Sequence, residues 1–139
     1  MVFAEILSTR VFRSEQNMPV VLIVDDDHAF RAVVRTLFES GSGFDACVGA
    51  GDGAEALEKA KQVSPNLAVL DFSMPEMNGL ELARELKAIA PKLPIFLLTA
   101  DCDADLEKEA LSCGITAVFS KLDDLATLVD NARAVCGIE

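Results

Sequence analysis

The sequence predicts an α/β fold, a doubly wound parallel sheet of five strands with helices on both faces. Three observations carry this expectation. Short apolar, β-branched runs alternate five times with stripes at helical spacing. The helical segments run to about 10–15 residues, the length that joins parallel neighbours rather than hairpins. Polar groups able to do chemistry cluster at the carboxyl ends of the strands, where open parallel sheets hold their ligands.

Val20–Val24 is an apolar run ending in acids and suits a strand buried on both faces. Phe30, Val33, Val34, Leu37 and Phe38 then recur at i, i+3, i+4, i+7 and i+8, an amphipathic helix that Gly41 and Gly43 stop. A short strand is expected around Asp45–Val48, then a helix from Gly53 to about Gln62 with Ala56, Leu57 and Ala60 inward. Pro65 and Asn66 turn the chain into a second fully apolar strand, Leu67–Leu70. Pro75, Asn78 and Gly79 mark a loop, and Leu82, Leu86 and Ile89 build the next stripe before Pro91 and Pro94 close it. Ile95–Leu98 is a strand, and Asp103–Ser112 a helix with Asp103 as N-cap, ended by Cys113 and Gly114. Ala117–Phe119 is the last strand, and Leu125, Leu128, Val129 and Ala132 define a final helix that Gly137 caps.

At 139 residues and 14.9 kDa the chain fits one domain, taken as residues 18–139, behind an N-terminal extension of residues 1–17. In the extension Phe3, Ile6, Leu7 and Val11 fall at near-helical spacing among Glu5, Arg10 and Arg13. It reads as a disordered or loosely docked helical turn or as a docking segment, and Met18 is a second candidate start. The acids and arginines interrupt any secretory core. Twelve Lys and Arg against 23 Asp and Glu leave a net charge of −11, which repels phosphate backbones and anionic lipid. Direct nucleic-acid binding and membrane association are therefore not expected. Cys47, Cys102, Cys113 and Cys136 form no CxxC pair, and the single His28 completes no zinc site. They read as reduced, small core residues of a cytoplasmic protein.

The strand ends supply a short inventory. The first ends in Asp25, Asp26 and Asp27, the third in Asp71, the fourth in Thr99 followed by Ala100, and the fifth in Ser120 and Lys121. Carboxylates converging on one rim repel each other unless a cation intervenes. A hard divalent ion such as Mg²⁺ and the Lys121 ammonium both fit an inventory of oxygen ligands. Asp71 could then attack phosphorus and form an aspartyl phosphate, with Lys121 and the Thr99 hydroxyl stabilising the transferring oxygens and Ala100 leaving an entrance. Taken singly each residue has a plainer reading: the Asp run as a solvated turn with a helix cap, Lys121 as a surface lysine. Asp123 and Asp124 read as first-turn dipole partners of the last helix, and His28 as a solvated residue near the start of the first. An Asp-x-Asp within 25–27 would also suit a haloacid-dehalogenase-like phosphatase, but that scheme leaves Asp71 without a role.

From about Val20 to Gly137 the chain resembles the response-regulator receiver domain of two-component signalling. The likeness rests on Val-Leu-Ile-Val-Asp-Asp-Asp at 21–27, Leu-Asp-Phe-Ser-Met-Pro-Glu-Met-Asn-Gly at 70–79, Leu-Thr-Ala at 98–100 and Ser-Lys at 120–121. It implies a flavodoxin-like, chemotaxis-regulator-like fold with strand order 2-1-3-4-5. It implies Asp71 as phosphoacceptor and Asp25 and Asp26 as the acidic pair, Asp26 the direct Mg²⁺ ligand. The backbone carbonyl of Ser73 would be a further ligand, and Mn²⁺ able to substitute. Thr99 becomes the switch hydroxyl and Lys121 its partner at the phosphoryl group, while Ser73 and Asp101 tune phosphoryl lifetime. The donor would be a sensor histidine kinase, a phosphotransfer protein or a small acyl phosphate. Output would pass through a downstream protein or a homodimer, by way of the fourth helix, fifth strand and fifth helix. On this reading the chain is a signalling phosphoacceptor and not an enzyme acting on a separate substrate.

Two positions depart from the family pattern. Leu122 follows Lys121 where a cis-proline is usual, and Val118 stands where a switch aromatic is common, with Phe119 expected to face the other side of the strand. Leu122 and the tail Asn-Ala-Arg-Ala-Val-Cys-Gly at 131–137 are similar to receivers of regulators carrying a helix-turn-helix output domain. The alternative expectation is thus the receiver part of a DNA-binding response regulator.

Overall fold

Five strands and five helices alternate along residues 19–138, the residues that the structure, a computed structural model, describes. The expectations for residues 1–17 lie outside them. The elements are β1 (Val20–Val24), α1 (His28–Glu39), β2 (Ala46–Ala50), α2 (Gly53–Val63), β3 (Leu67–Asp71), α3 (Gly79–Ile89), β4 (Ile95–Thr99), α4 (Ala104–Ser112), β5 (Ala117–Ser120) and α5 (Leu125–Val135). All neighbours pair in parallel in the order β2-β1-β3-β4-β5, the flavodoxin-like order.

Alternation within the strands divides the core. Val21, Ile23, Val69, Phe96 and Phe119 face Val34 and Phe38 of α1 and Leu128 and Ala132 of α5. Leu22, Val24, Leu70 and Leu97 face α2, α3 and α4 through Ala56, Leu82, Leu86 and Ala110. Burying each large side chain completely contributes about 1.5–3 kcal/mol, so the central strands carry much of the stability. Phe96 and Phe119 add a tilted ring pair at 4.8 Å.

Some sequence expectations shift. β2 runs over Ala46–Ala50 rather than 45–48, because in-register pairing with all five residues of β1 fixes its extent. Val33 and Ile89 lie on the flanks of their helices, 48% and 43% exposed, rather than in the core. Of the cysteines only Cys47 is buried; Cys102 is exposed and Cys113 and Cys136 are half-buried. Asp124 is the N-cap residue of α5, as its reading as a dipole partner requires, but its side chain makes no cap bond to the helix amides. Asp124 Oδ2 instead accepts the Ser120 N–H at 2.7 Å, and the Asp123 carboxylate lies 3.4 Å from Ser120 Oγ.

Candidate functional site

The loops after β1, β3, β4 and β5 bring the predicted polar groups to one rim. The Asp run divides its labour. Asp27 is the N-cap of α1, its Oδ1 accepting from Ala29 N at 3.0 Å and Phe30 N at 3.2 Å. Asp25 is buried, its Oδ1 taking the Asp27 N–H at 2.8 Å. Asp26 is exposed, and carboxylate oxygens of Asp25, Asp26 and Asp71 come within 4.8 Å of one another.

Lys121 joins two of these acids. Its Nζ lies 3.1 Å from Asp25 Oδ2 and 3.0 Å from Asp71 Oδ1, over the Phe30 ring at 4.3 Å from the centroid. Burial pushes the Asp71 carboxyl up, the Lys121 hydrogen bond pulls it down, the Asp25 charge raises it again, and the outcome is about 6. Burial pulls Lys121 down, but its bonds to Asp71 and Asp25 outweigh this and its pKa rises. Three carboxylates cluster about one ammonium, all ligand atoms are hard oxygens, and burial holds one acid well above the usual carboxylate range. That donor set fits a divalent cation such as Mg²⁺.

The β3–α3 loop is drawn tight beside Asp71. Gly79 donates to Phe72 O at 2.9 Å, and a Cβ on Gly79 would stand 2.6 Å from both Asp71 O and Leu97 Cδ1. Asn78 and Glu81 then start α3 with a reciprocal capping box, which fixes where the loop ends. The Ser73 N–H points at Asp71 Oδ1 from 3.4 Å. Thr99 is buried and its Oγ1 accepts the Asp101 N–H at 3.2 Å. Ser73, Thr99, Ala100 and Asp101 line a groove of about 520 Å³ with Phe72 and Leu106. Val118 packs on the face of α2, α3 and α4, and Phe119 on the opposite face, as the alternation predicts.

Leu122 is 81% exposed, and its N–H donates to Ser120 Oγ at 3.2 Å, a bond proline could not make. Asp123 N donates to the same oxygen at 3.2 Å, so Ser120 and Asp124 together close the turn that presents Lys121. Sequence reasoning missed two supports. Phe30 belongs to the α1 stripe, yet at the first turn that stripe already faces the rim. Arg31 Nη1 donates to Asp25 O at 2.6 Å and anchors the backbone between Asp25 and Asp26.

Residues 21–133 match the response regulator receiver domain family. A Pseudomonas aeruginosa protein named "Putative transcriptional regulator" is 40% identical over 118 residues, 85% of this chain and 56% of that protein. A Paramagnetospirillum magneticum protein named "Protein-glutamate methylesterase/protein-glutamine glutaminase 3" is 36% identical over 123 residues, 85% of this chain and 34% of that protein. The chain thus spans about half of the one and a third of the other. The solved Vibrio cholerae chemotaxis protein CheY4 superposes with a TM-score of 0.76 at 29% identity, over 85% of this chain and 98% of its own.

Proposed function

The chain belongs to the response regulator receiver domain family, and on that premise we propose that Asp71 accepts a phosphoryl group and thereby switches partner binding. The observation that carries this reading is the Lys121 ammonium bridging Asp25 and Asp71 at 3.1 and 3.0 Å on an acid-rich rim. A structural ion pair needs no third carboxylate and no buried hydroxyl at the end of the next strand.

With its pKa near 6, Asp71 is mostly ionised at neutral pH and available as a nucleophile. Its Oδ1 faces Lys121 and the Ser73 N–H, while Oδ2 takes no hydrogen bond from the described residues and is the attacking oxygen. Phosphorus bonds to Oδ2 as its bond to the donor's histidine nitrogen breaks, and the electron pair leaves with the imidazole, which takes up a proton from water. With a small acyl phosphate the pair leaves on the acyl carboxylate. Asp25, Asp26, Asp71 and the Ser73 carbonyl would hold Mg²⁺, or Mn²⁺ in its place. When bound, the ion supplies positive charge against the carboxylates and the transferring oxygens.

Asp71 loses its own charge on phosphorylation, so Lys121 turns its second donor toward a phosphoryl oxygen. Thr99 keeps its O–H proton free to donate there. Turning inward gives up the 3.2 Å bond from Asp101 N and moves the loop into α4. Ala100 leaves the approach open, and Ser73 and Asp101 flank it where an attacking water would pass. Val118 offers no ring to rotate, so the loop after Thr99 carries the shift to the α4–β5–α5 face. The donor is a sensor histidine kinase or phosphotransfer protein, and the output a downstream protein or a homodimer, in the cytoplasm.

A second reading is the receiver part of a DNA-binding regulator. It is favoured by the 56% coverage of the Pseudomonas relative and by Leu122 after Lys121. A net charge of −11 leaves any DNA contact to another part of such a protein.

Acetyl phosphate and Mg²⁺, followed by intact mass, test the proposal. One added phosphoryl group is expected, lost with EDTA and with Asp71→Asn. No adduct, together with no binding of beryllofluoride, would overturn it.

A further inference from the structure

Among the described residues β2 is an edge strand with no strand beyond it, and three charged side chains fold over it. Residues 46, 48 and 50 face β1, so Cys47 and Gly49 turn their backbone groups outward. Arg35, from α1 on one side of the sheet, donates to Cys47 O at 2.7 Å. Lys59, from α2 on the other side, donates to Gly49 O at 2.6 Å. Just past the strand the Gly51 N–H is taken by Glu55 Oε1 at 2.7 Å. The two outward acceptors of the strand are met by cations and the donor just past it by a carboxylate, while the Cys47 and Gly49 N–H groups stay turned outward. Glu39 and Glu55 steady the two cations through i,i+4 pairs at 3.3 and 3.2 Å. A Cβ on Gly49 would meet Arg31 and Arg35 only at ordinary contact distance, so this cover does not depend on a glycine there.

The strand beneath is Ala-Cys-Val-Gly-Ala, without charge, proline or bulk. Such an edge is a template for another strand unless something covers it. We propose that Arg35 and Lys59 hold the β2 edge shut, and that a second copy of this chain adds its own β2 there once they are removed. The occupant follows from the sequence of the edge. About a twofold axis through Val48, Cys47 of one copy faces Gly49 of the other in both directions. Each such pair exchanges two backbone hydrogen bonds, and no charge is buried. The β2 face lies away from the α4–β5–α5 face, so this association is independent of phosphorylation.

Sedimentation of the Arg35→Met/Lys59→Met double variant, without phosphodonor or Mg²⁺, tests the proposal. Methionine keeps the apolar stems and removes the donors. Self-association at least about tenfold tighter than wild type is expected, and adding Gly49→Pro, which removes an outward N–H from an edge strand, abolishes it. The charge-conserving Arg35→Lys/Lys59→Arg variant stays as wild type. If the double variant does not fold, each single methionine variant exposes one acceptor and is read the same way. Folded variants that sediment as wild type, or association that persists with Gly49→Pro, overturn the proposal.

Discussion

Replacing Asp71 by asparagine should make the metal-free protein more stable, although it removes one end of an ion pair. The Asp71 carboxyl has a pKa of 3.8 when free and about 6 in the fold, where burial and the Asp25 charge outweigh Lys121. A carboxyl raised on folding costs stability wherever it is ionised in both states. The cost is complete above pH 6, shrinks as pH falls through 6, and is gone below 3.8. Moving from 3.8 to about 6 corresponds to about 3 kcal/mol at neutral pH, with the Lys121 attraction already included. A side-chain amide carries no charge at any pH, so Asp71→Asn is expected to gain about 2–3 kcal/mol at pH 7.5 in EDTA, roughly 10 °C in Tm. The gain should vanish near pH 4. Urea unfolding of both proteins at the two pH values measures it. An Asp71→Asn protein less stable than wild type at pH 7.5 would show that Lys121 overcompensates the acids, and the electrostatic argument for a divalent cation at this rim would fail.

Lys121→Met should cost about 3–5 kcal/mol at neutral pH in the same assay, because two buried carboxylates lose their cation, and Mg²⁺ should restore much of it. Gly79→Ala should cost about 3 kcal/mol or more, as its methyl would overlap Asp71 O and the Leu97 side chain; urea unfolding reads this directly. Ser120→Ala removes the acceptor for two backbone amides of the Lys121 turn and should cost about 1–2 kcal/mol, whereas Leu122→Ser at an exposed position should stay within about 0.5 kcal/mol. Thermal melts of the two neighbours compare them side by side.

What was legible in the sequence was the part that repeats. Two-faced burial makes β1, β3 and β4 continuous apolar runs, and their ends stand out because a polar residue there breaks the pattern. Asp25, Asp71 and Thr99 were found that way, and the structure buries all three. β2 was harder. Val48-Gly49-Ala50 has little strand character of its own and is extended because β1 demands it. The acids 123 and 124 stand at the start of α5 as read, but the bond from the Ser120 amide to Asp124 was not legible, since proximity to a helix start says nothing of which amide a carboxylate accepts from. Phe30 and Arg31 could not be assigned from periodicity. Their contacts depend on where the first turn of α1 meets β1 and β5, a matter of topology rather than pattern.

The ammonium that joins Asp25 and Asp71 comes from a residue 96 positions after the first of them. During synthesis both acids therefore emerge well before their counter-charge, and β4 and β5 must close the sheet before Lys121 can reach them. Until then the rim holds carboxylates without their lysine and lacks Thr99 in its final place. If Asp71 is the phosphoacceptor, as proposed, an incomplete chain is expected to be inert toward a phosphodonor without any separate safeguard, and competence at this rim would double as a report that the last strand has been laid.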